Sequence, residues 1–161
     1  MYSLNAPLPS RVTEVAADLR DDLPSGVRPR RRPTLVVKRL GEGDHRDLTT
    51  RCRTLLADAP ACAARLAGLD AFDAPTGPVT HLVVESPGLR RLHDRLCESF
   101  DPIEGIEGTD YVPHVTLGRG GDSREVRRFC EWPVEGVEWR IDDLWLWHAD
   151  YRERVSVIPL G

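Results

Sequence analysis

The stretch Tyr-Val-Pro-His-Val-Thr-Leu, residues 111–117, alternates polar and apolar side chains in the way that a half-buried strand requires. Successive side chains of a strand point to opposite faces, so His114 and Thr116 share one face and the apolar residues around them share the other. An imidazole and a hydroxyl so placed can act on one phosphate, the first by moving a proton and the second by donating to a nonbridging oxygen. The stretch therefore predicts a strand with one face toward the core and one toward a phosphate.

Strand and helix signals alternate on both sides of this motif. The strands predicted from β-branched runs and turn residues are Ser3–Asn5, Thr34–Leu40, Leu66–Phe72, Val79–Glu85, Tyr111–Leu117, Trp139–His148 and Arg154–Leu160. Helices are predicted after the capping residues Ser10, Asp44, Ser86 and Asp122. The same order occurs before and after a break at residues 75–78, which predicts an α+β protein with internal pseudo-symmetry. Helices on one face of each sheet would leave the other faces free to form a cleft.

Length and composition limit the architecture and the cellular setting. The chain has 161 residues, which predicts a single domain, 1–161, with lobes at approximately 1–75 and 79–161. No apolar run approaches the roughly 18 residues of a membrane span, so we expect a cytoplasmic monomer without a membrane partner. The four cysteines form no CxxC pair and have no histidine at metal-ligand spacing. We expect no metal and no cofactor.

Charge is distributed unevenly along the chain. Residues 27–40 hold six basic side chains and no acidic one, although the whole chain has a net charge of −4. A local cationic patch favours a phosphorylated ligand, while the acidic remainder argues against nonspecific duplex binding, which needs many phosphate contacts at once. The four tryptophans are predicted to pack in the last sheet, with the option that one ring at a cleft edge stacks a base.

The segment Tyr-Val-Pro-His-Val-Thr-Leu-Gly-Arg, preceded by a helix reading SPGLRRLHDRL and followed by a WRIDDLWLW strand, resembles the 2H phosphoesterase superfamily. The resemblance is nearest to its RNA 2′-5′ ligase and 2′,3′-cyclic phosphodiesterase branch and runs from Ser3 to Leu160. It implies two pseudo-symmetric βαβ-type lobes, with mostly antiparallel sheets flanking a central cleft and helices outside. It also implies one H-x-T or H-x-S motif per lobe and no metal. One histidine would deprotonate the nucleophile, its counterpart would protonate the departing oxygen, and the hydroxyls would hold the phosphoryl oxygens.

The first motif departs from that pattern. The strand where it should begin reads RPTLVVKRLG, residues 32–41, and contains no histidine. In one alignment Arg32 stands in the place of the histidine and Thr34 keeps the hydroxyl. In the other, Thr34 takes the place of the histidine and Val36 that of the hydroxyl. Either alignment removes one acid/base group, because arginine stays protonated at any working pH.

Other histidines could supply the missing group. His81 and His148 lie on predicted strands and are the possible substitutes, whereas His45 and His93 are predicted to be solvated on helix surfaces. Sequence alone does not decide which way the side chains of His81 and His148 face.

The residues assigned to the site follow from the motif, the basic stretch and the resemblance. We assign the catalytic roles to His114 and Thr116. Substrate binding is assigned to Thr34, Arg32, Lys38, Tyr111 and Arg119. The expected partner is an RNA end or a nucleotide with a cyclic or terminal phosphate. The expected function is that of an RNA 2′,3′-cyclic phosphodiesterase or 2′-5′ RNA ligase-like protein with weakened activity; the alternative is a non-catalytic RNA- or nucleotide-binding module that uses the same cleft.

Overall fold

The computed structural model describes all 161 residues as nine strands and four α-helices with one short 3-10 helix. The strands are β1 (Tyr2–Ala6), β2 (Arg28–Pro29), β3 (Leu35–Gly41), β4 (Cys62–Ala74), β5 (Gly77–Glu85), β6 (His114–Arg119), β7 (Glu138–Ile141), β8 (Asp143–His148) and β9 (Glu153–Pro159). The helices are α1 (Ser10–Asp21), α2 (His45–Leu55), α3 (Pro87–Cys97), α4 (Ser123–Phe129) and the 3-10 helix Gly108–Asp110. This mixture confirms the predicted α+β class.

The strands form one antiparallel sheet in the order β7-β4-β5-β6-β3-β1-β8-β9, with β2 beside β6. A single residue pair, Leu35 with Val115, joins β3 to β6 at the centre of the sheet. Four strands lie on each side of that pair, which is the pseudo-symmetry that the repeated element order predicted. We call the two sides the β6 half-sheet and the β3 half-sheet.

The two half-sheets exchange segments of the chain. The β6 half-sheet contains β4, which pairs with β5 through a tight turn, and the β3 half-sheet contains β8, which pairs with β1. The predicted lobe bounds, 1–75 and 79–161, therefore divide the chain differently from the sheet. Within the stretch predicted as the single strand Trp139–His148, the chain breaks at the exposed Asp142, so that β7 joins β4 and β8 joins β1.

Three of the four predicted helix caps form hydrogen bonds. The side chains of Asp44, Ser86 and Asp122 accept from backbone N–H groups in the first turns of α2, α3 and α4. Such bonds satisfy donors that the helix itself leaves unpaired. The predicted cap at Ser10 is wrong, because Pro9 occupies the cap position of α1 and makes no side-chain bond there.

A single hydrophobic core of 30 buried residues lies between the sheet and the helices. Leu35, Val37, Val115 and Leu117 of the two central strands point into it and are at most 1% exposed. By strand alternation, the neighbouring side chains of β3 and β6 point to the opposite face. The helices thus leave a cleft over the central strands. None of these helices combines the length and apolarity that crossing a bilayer requires.

Candidate functional site

A cavity of about 700 Å³ opens on the cleft face of the β3 half-sheet. Its wall includes five arginines and no acidic side chain. The arginines are Arg30, Arg31, Arg32, Arg39 and Arg152. Such a wall attracts an anion, because guanidinium groups match phosphate oxygens in both charge and geometry. We call this space the arginine cavity.

His114 lies at the start of β6, on the cleft face, and is partly buried. Its Nδ1 lies 2.7 Å from the backbone oxygen of Val112, which requires Nδ1 to carry the hydrogen and leaves the lone pair on Nε2. Burial lowers the pKa of His114 to about 4, and the nearby His81, Arg39 and Arg119 act in the same direction. At neutral pH this imidazole is therefore uncharged, with a free lone pair on Nε2, and burial makes it a weaker base than an exposed histidine.

His81 lies beside His114 rather than across the cleft from it. Its Cα pairs with that of Thr116 on the adjacent strand, and the two imidazole centroids are 5.1 Å apart. The ring of Phe72 stacks on His81 at 4.0 Å and meets His114 edge-on at 4.9 Å. His81 is fully buried, its Nδ1 lies 3.0 Å from the Val79 oxygen, and burial lowers its pKa. It supports the His114 ring and does not supply the opposite imidazole.

His148 points away from the cleft. It ends β8 opposite Tyr2, and its ring packs edge-on against Tyr2 at 4.5 Å and tilted against Tyr151 at 4.7 Å. The neighbouring Trp147 takes the other face of the strand and lines the arginine cavity. Neither substitute histidine thus lies opposite His114.

The pairing of Leu35 with Val115 decides between the two alignments of the first motif. A directly opposed pair in an antiparallel ladder lies on a local twofold axis, so residues at equal offsets from it are equivalent. Thr34 therefore corresponds to His114, and Val36 corresponds to Thr116. The hydroxyl of Thr34 accepts a hydrogen bond from Nη2 of Arg30 at 3.2 Å. The first motif therefore has threonine in place of its histidine and valine in place of its hydroxyl-bearing residue.

Arg32, the other candidate for the histidine position, lies in the loop before β3. Its side chain is exposed and forms part of the wall of the arginine cavity. Arg119, at the end of β6, is also exposed, and its charge acts on both His114 and Arg30. Arg32 thus faces the arginine cavity, and the charge of Arg119 lies near His114. Thr116 lies two residues after His114 on the same face and is 7% exposed.

The substrate-binding role predicted for Lys38 is wrong, because its side chain is fully buried. Its ammonium lies 2.6 Å from a carboxylate oxygen of Glu107 and also donates to the backbone oxygens of Arg39 and Asp101. All three ammonium hydrogens are thus used inside the protein. The second carboxylate oxygen of Glu107 accepts from the backbone N–H of Arg39 at 2.9 Å.

The role predicted for Tyr111 is wrong for a related reason. Tyr111 is 4% exposed, and its hydroxyl donates to the backbone oxygen of Val36 at 2.9 Å. His93, predicted to be solvated, is fully buried, stacks on Tyr111 at 3.9 Å and bridges the Val37 oxygen and the Gly108 N–H. Beyond their one shared pair, β3 and β6 separate. The side chains of Tyr111 and His93 then provide hydrogen bonds for backbone oxygens of β3.

Three residues of the cleft were not singled out from the sequence. Arg30 and Arg39 lie in the basic stretch but have no motif around them, and Arg152 lies on the turn between β8 and β9 with a left-handed φ of 50°. Partial burial lowers the pKa of Arg30, and the charges of Arg119, Arg39 and Arg152 lower it further. The basic composition of residues 27–40 is the sequence feature that could have indicated Arg30 and Arg39. No sequence feature indicates Arg152.

A family model described as the 2′-5′ RNA ligase superfamily matches residues 8–153. The chain belongs to this superfamily. Its predicted resemblance to 2H phosphoesterases is thereby confirmed, and membership supports a phosphodiesterase type of function. A search of the curated proteins found none that matches this chain.

Solved structures share the fold along nearly the whole chain. TT0787 of Thermus thermophilus has a TM-score of 0.68 at 18% identity and covers 99% of this chain and 97% of its own. E. coli LigT complexed with NADP⁺ has a TM-score of 0.68 at 20% identity, with 99% and 96% covered. Kluyveromyces marxianus Usb1 has a TM-score of 0.59 at 13% identity, with 99% and 97% covered. At these identities the likeness establishes the fold.

The buried neutral histidines predict how stability depends on pH. Burial lowers the pKa of His81, His93 and His114 below the ordinary value of 6.5, so the unfolded chain binds protons that the folded chain does not. The free energy of unfolding should therefore fall as the pH decreases below about 6.5, and for His114 the loss should continue to about pH 4. Urea titrations followed by tryptophan fluorescence between about pH 4.5 and 7.5 measure this slope.

Two variants separate His114 from the other titrating groups. His114→Gln should reduce the slope of unfolding free energy against pH by up to about 1.4 kcal/mol per pH unit between these limits, the value for one proton. His45→Gln, on the exposed start of α2, is the matched control and should leave the slope unchanged. An unchanged slope in His114→Gln would show that this imidazole titrates normally in the folded protein.

Proposed function

We propose that the cleft binds the terminal phosphate of an RNA end or a nucleotide and hydrolyses a 2′,3′-cyclic phosphate slowly. The observation that carries the proposal is an arginine-lined cleft with one competent imidazole and none opposite it. The solved structures of E. coli LigT with phosphate, 3′-AMP, ATP and NADP⁺ support a phosphate-bearing ligand, because each of those four molecules carries phosphate.

The chemistry follows from the protonation state of His114. Its uncharged Nε2 accepts a proton from water as the water oxygen bonds to phosphorus. The bond from phosphorus to one ribose oxygen breaks in the same displacement. Thr116 and Arg119 stabilise the charge that develops on the nonbridging oxygens. The departing ribose oxygen takes its proton from solvent, since Thr34 occupies the position equivalent to His114 and has no group that titrates near neutral pH.

The missing acid sets the expected rate. A positioned general acid contributes about 10²–10⁴-fold, so turnover should be lower than that of a two-histidine site by about this factor. Binding does not depend on the missing group, because the arginines remain charged at any working pH. The absence of the histidine and of the hydroxyl-bearing residue from their positions in the first motif favours a second candidate, a non-catalytic module that holds the same ligand.

Binding and turnover test the two candidates separately. Titration calorimetry with 3′-AMP at low salt should show binding that weakens as salt is added, because exposed charges are screened. Incubation with adenosine 2′,3′-cyclic monophosphate should give slow release of adenosine monophosphate, detected by chromatography. His114→Gln should abolish this release while weakening the binding of 3′-AMP much less, because the arginines remain, and His45→Gln should change neither.

The outcomes lead to different conclusions. Binding with no turnover in the wild type would favour the non-catalytic module. Turnover that survives in His114→Gln would refute the role of this imidazole. A folded protein that binds no 3′-AMP at low salt would overturn the proposed site altogether.

A further inference from the structure

Four arginines of the cavity wall, Arg30, Arg31, Arg32 and Arg152, form no ion pair, and the fifth, Arg39, reaches the carboxylate of Glu107 at 3.9 Å. Arg30 is influenced by the charges of Arg39, Arg119 and Arg152, and the wall of the arginine cavity has no acidic residue. Four positive charges in one place repel one another unless an anion of comparable charge binds between them. A single phosphate monoester brings fewer than the four negative charges that would match them.

The absence of acids from this place contrasts with the rest of the molecule. The chain has 26 acidic and 22 basic residues other than histidine, so carboxylates are in excess. Outside the cleft, Arg11, Arg65 and Arg140 each form an ion pair at 3.0 Å or less. The wall of the arginine cavity differs from these surfaces, because its arginines stand together with no acidic side chain between them, where a ligand can reach them.

The cleft has two neighbouring places for an anion. One is at His114, Thr116 and Arg119, and none of these residues lines the arginine cavity. The other is the cavity itself, where Arg152 marks the end formed by the β8–β9 turn. Arg39 lines the cavity and lies on β3, whose Leu35 pairs with Val115 next to His114, so the two places adjoin. A ligand that fills both places spans this arginine.

The ring of Trp147, in the wall of the cavity, is suited to stack on a nucleobase. Trp147 and Trp145 both lie on the cleft face of β8, and both are partly exposed. Arg154 covers the ring of Trp145, with its guanidinium carbon 4.9 Å from the ring centroid. Trp147 has no such partner and lines the cavity. Stacking on an indole tolerates any base, because every base has a π face.

Building on the proposed function, in which the first phosphate binds at His114, we infer that the arginine cavity is a second phosphate subsite. The preferred ligand then carries two separate phosphate groups and a base that stacks on Trp147. A nucleoside 3′,5′-bisphosphate has this chemistry, and so does the last phosphodiester of an RNA strand that ends in a 3′-phosphate.

Calorimetry with matched nucleotides tests the inference. Adenosine 3′,5′-bisphosphate should bind at least about tenfold more tightly than 3′-AMP, the effect of one further charge-assisted contact. Arg152→Asn should remove most of this advantage, and so weaken the binding of the bisphosphate much more than the binding of 3′-AMP. Asparagine suits the test because it tolerates the left-handed backbone of this position while removing the charge. Arg154→Asn, on the same hairpin but outside the cavity, is the matched control and should keep the advantage.

A second ligand distinguishes the two sources of this chemistry. If an RNA strand is the natural ligand, a diadenosine with a 3′-phosphate should also bind more tightly than 3′-AMP. If a free nucleotide is the natural ligand, only adenosine 3′,5′-bisphosphate should bind more tightly than 3′-AMP. Either result supports the second subsite when Arg152→Asn removes the gain. Equal affinities for 3′-AMP, bisphosphate and dinucleotide would overturn the inference and leave the proposed function standing. Failure of 3′-AMP itself to bind would count against the proposed function.

Discussion

Replacing Thr34 by histidine and Val36 by threonine should raise the rate of 2′,3′-cyclic phosphate hydrolysis by about 10²–10⁴-fold, the usual contribution of a positioned general acid. The register of Leu35 with Val115 makes these two positions equivalent to His114 and Thr116, so the double variant rebuilds the absent motif. Steady-state rates with adenosine 2′,3′-cyclic monophosphate measure the gain. The new imidazole must be protonated to act as an acid, so the gain should shrink as the pH rises above its pKa.

Arg32→His is the matched control for this experiment. It places the same side chain only two residues away, on the exposed loop that precedes β3. We expect no comparable gain, because the local twofold axis does not relate residue 32 to His114. A gain in Arg32→His with none in the double variant would mean that the other alignment of the first motif is correct. No gain in either would show that the missing acid does not limit turnover.

Replacing Glu107 by glutamine should lower the free energy of unfolding by about 3–5 kcal/mol, because it leaves the ammonium of Lys38 buried without a counter-charge. Glutamine keeps one acceptor oxygen, which can serve the backbone N–H of Arg39 or that of Ile103 but not both, because these groups donate to different oxygens of Glu107. Adding Lys38→Met to this variant removes the unpaired charge and should restore most of the stability, since an apolar side chain of similar length fills the same space. Urea denaturation at about pH 7.5 compares the variants.

An exposed ion pair provides the comparison. Glu85→Gln breaks the contact with Arg65, whose side chain is 47% exposed, and should change the free energy of unfolding by less than about 1 kcal/mol. A similarly small change in Glu107→Gln would mean that Lys38 reaches water in solution. Failure of Lys38→Met to rescue Glu107→Gln would assign the stability to the hydrogen bonds of the carboxylate instead of its charge.

The sequence predicted those features that depend on local pattern. Alternation along residues 111–117 placed His114 and Thr116 on one face, and helix caps at Asp44, Ser86 and Asp122 followed from residue type at a chain turn. The family resemblance then gave the antiparallel sheet and the cleft. These inferences depend only on residues that are close in the sequence, or on the second motif, which is complete.

Features that depend on distant partners could not be predicted. Lys38 belongs to a basic stretch, so its sequence context resembles that of a ligand-binding residue. In the fold it pairs with Glu107, which lies 69 residues later in the chain. Tyr111 begins the motif but turns inward to bond the edge of β3. The exchange of β4 and β8 between half-sheets is equally distant in sequence, because a strand pattern does not state which strand it pairs with. Arg152 lies on a turn whose position over the cavity depends on that exchange.

The position of β1 between β3 and β8 has a consequence for the order in which the protein assembles. During synthesis, residues 2–6 are made long before residues 143–148, the strand that pairs with their second edge. The outer edge of β1 must therefore wait, unpaired, until β8 has been made, and contacts this distant in sequence make folding slow. Arg152 and Trp147 arrive with that last segment. A nascent chain shorter than residue 152 would thus present Arg30 and Arg39 on an incomplete wall, and the proposed binding of a nucleotide would require β8 and the turn that follows it.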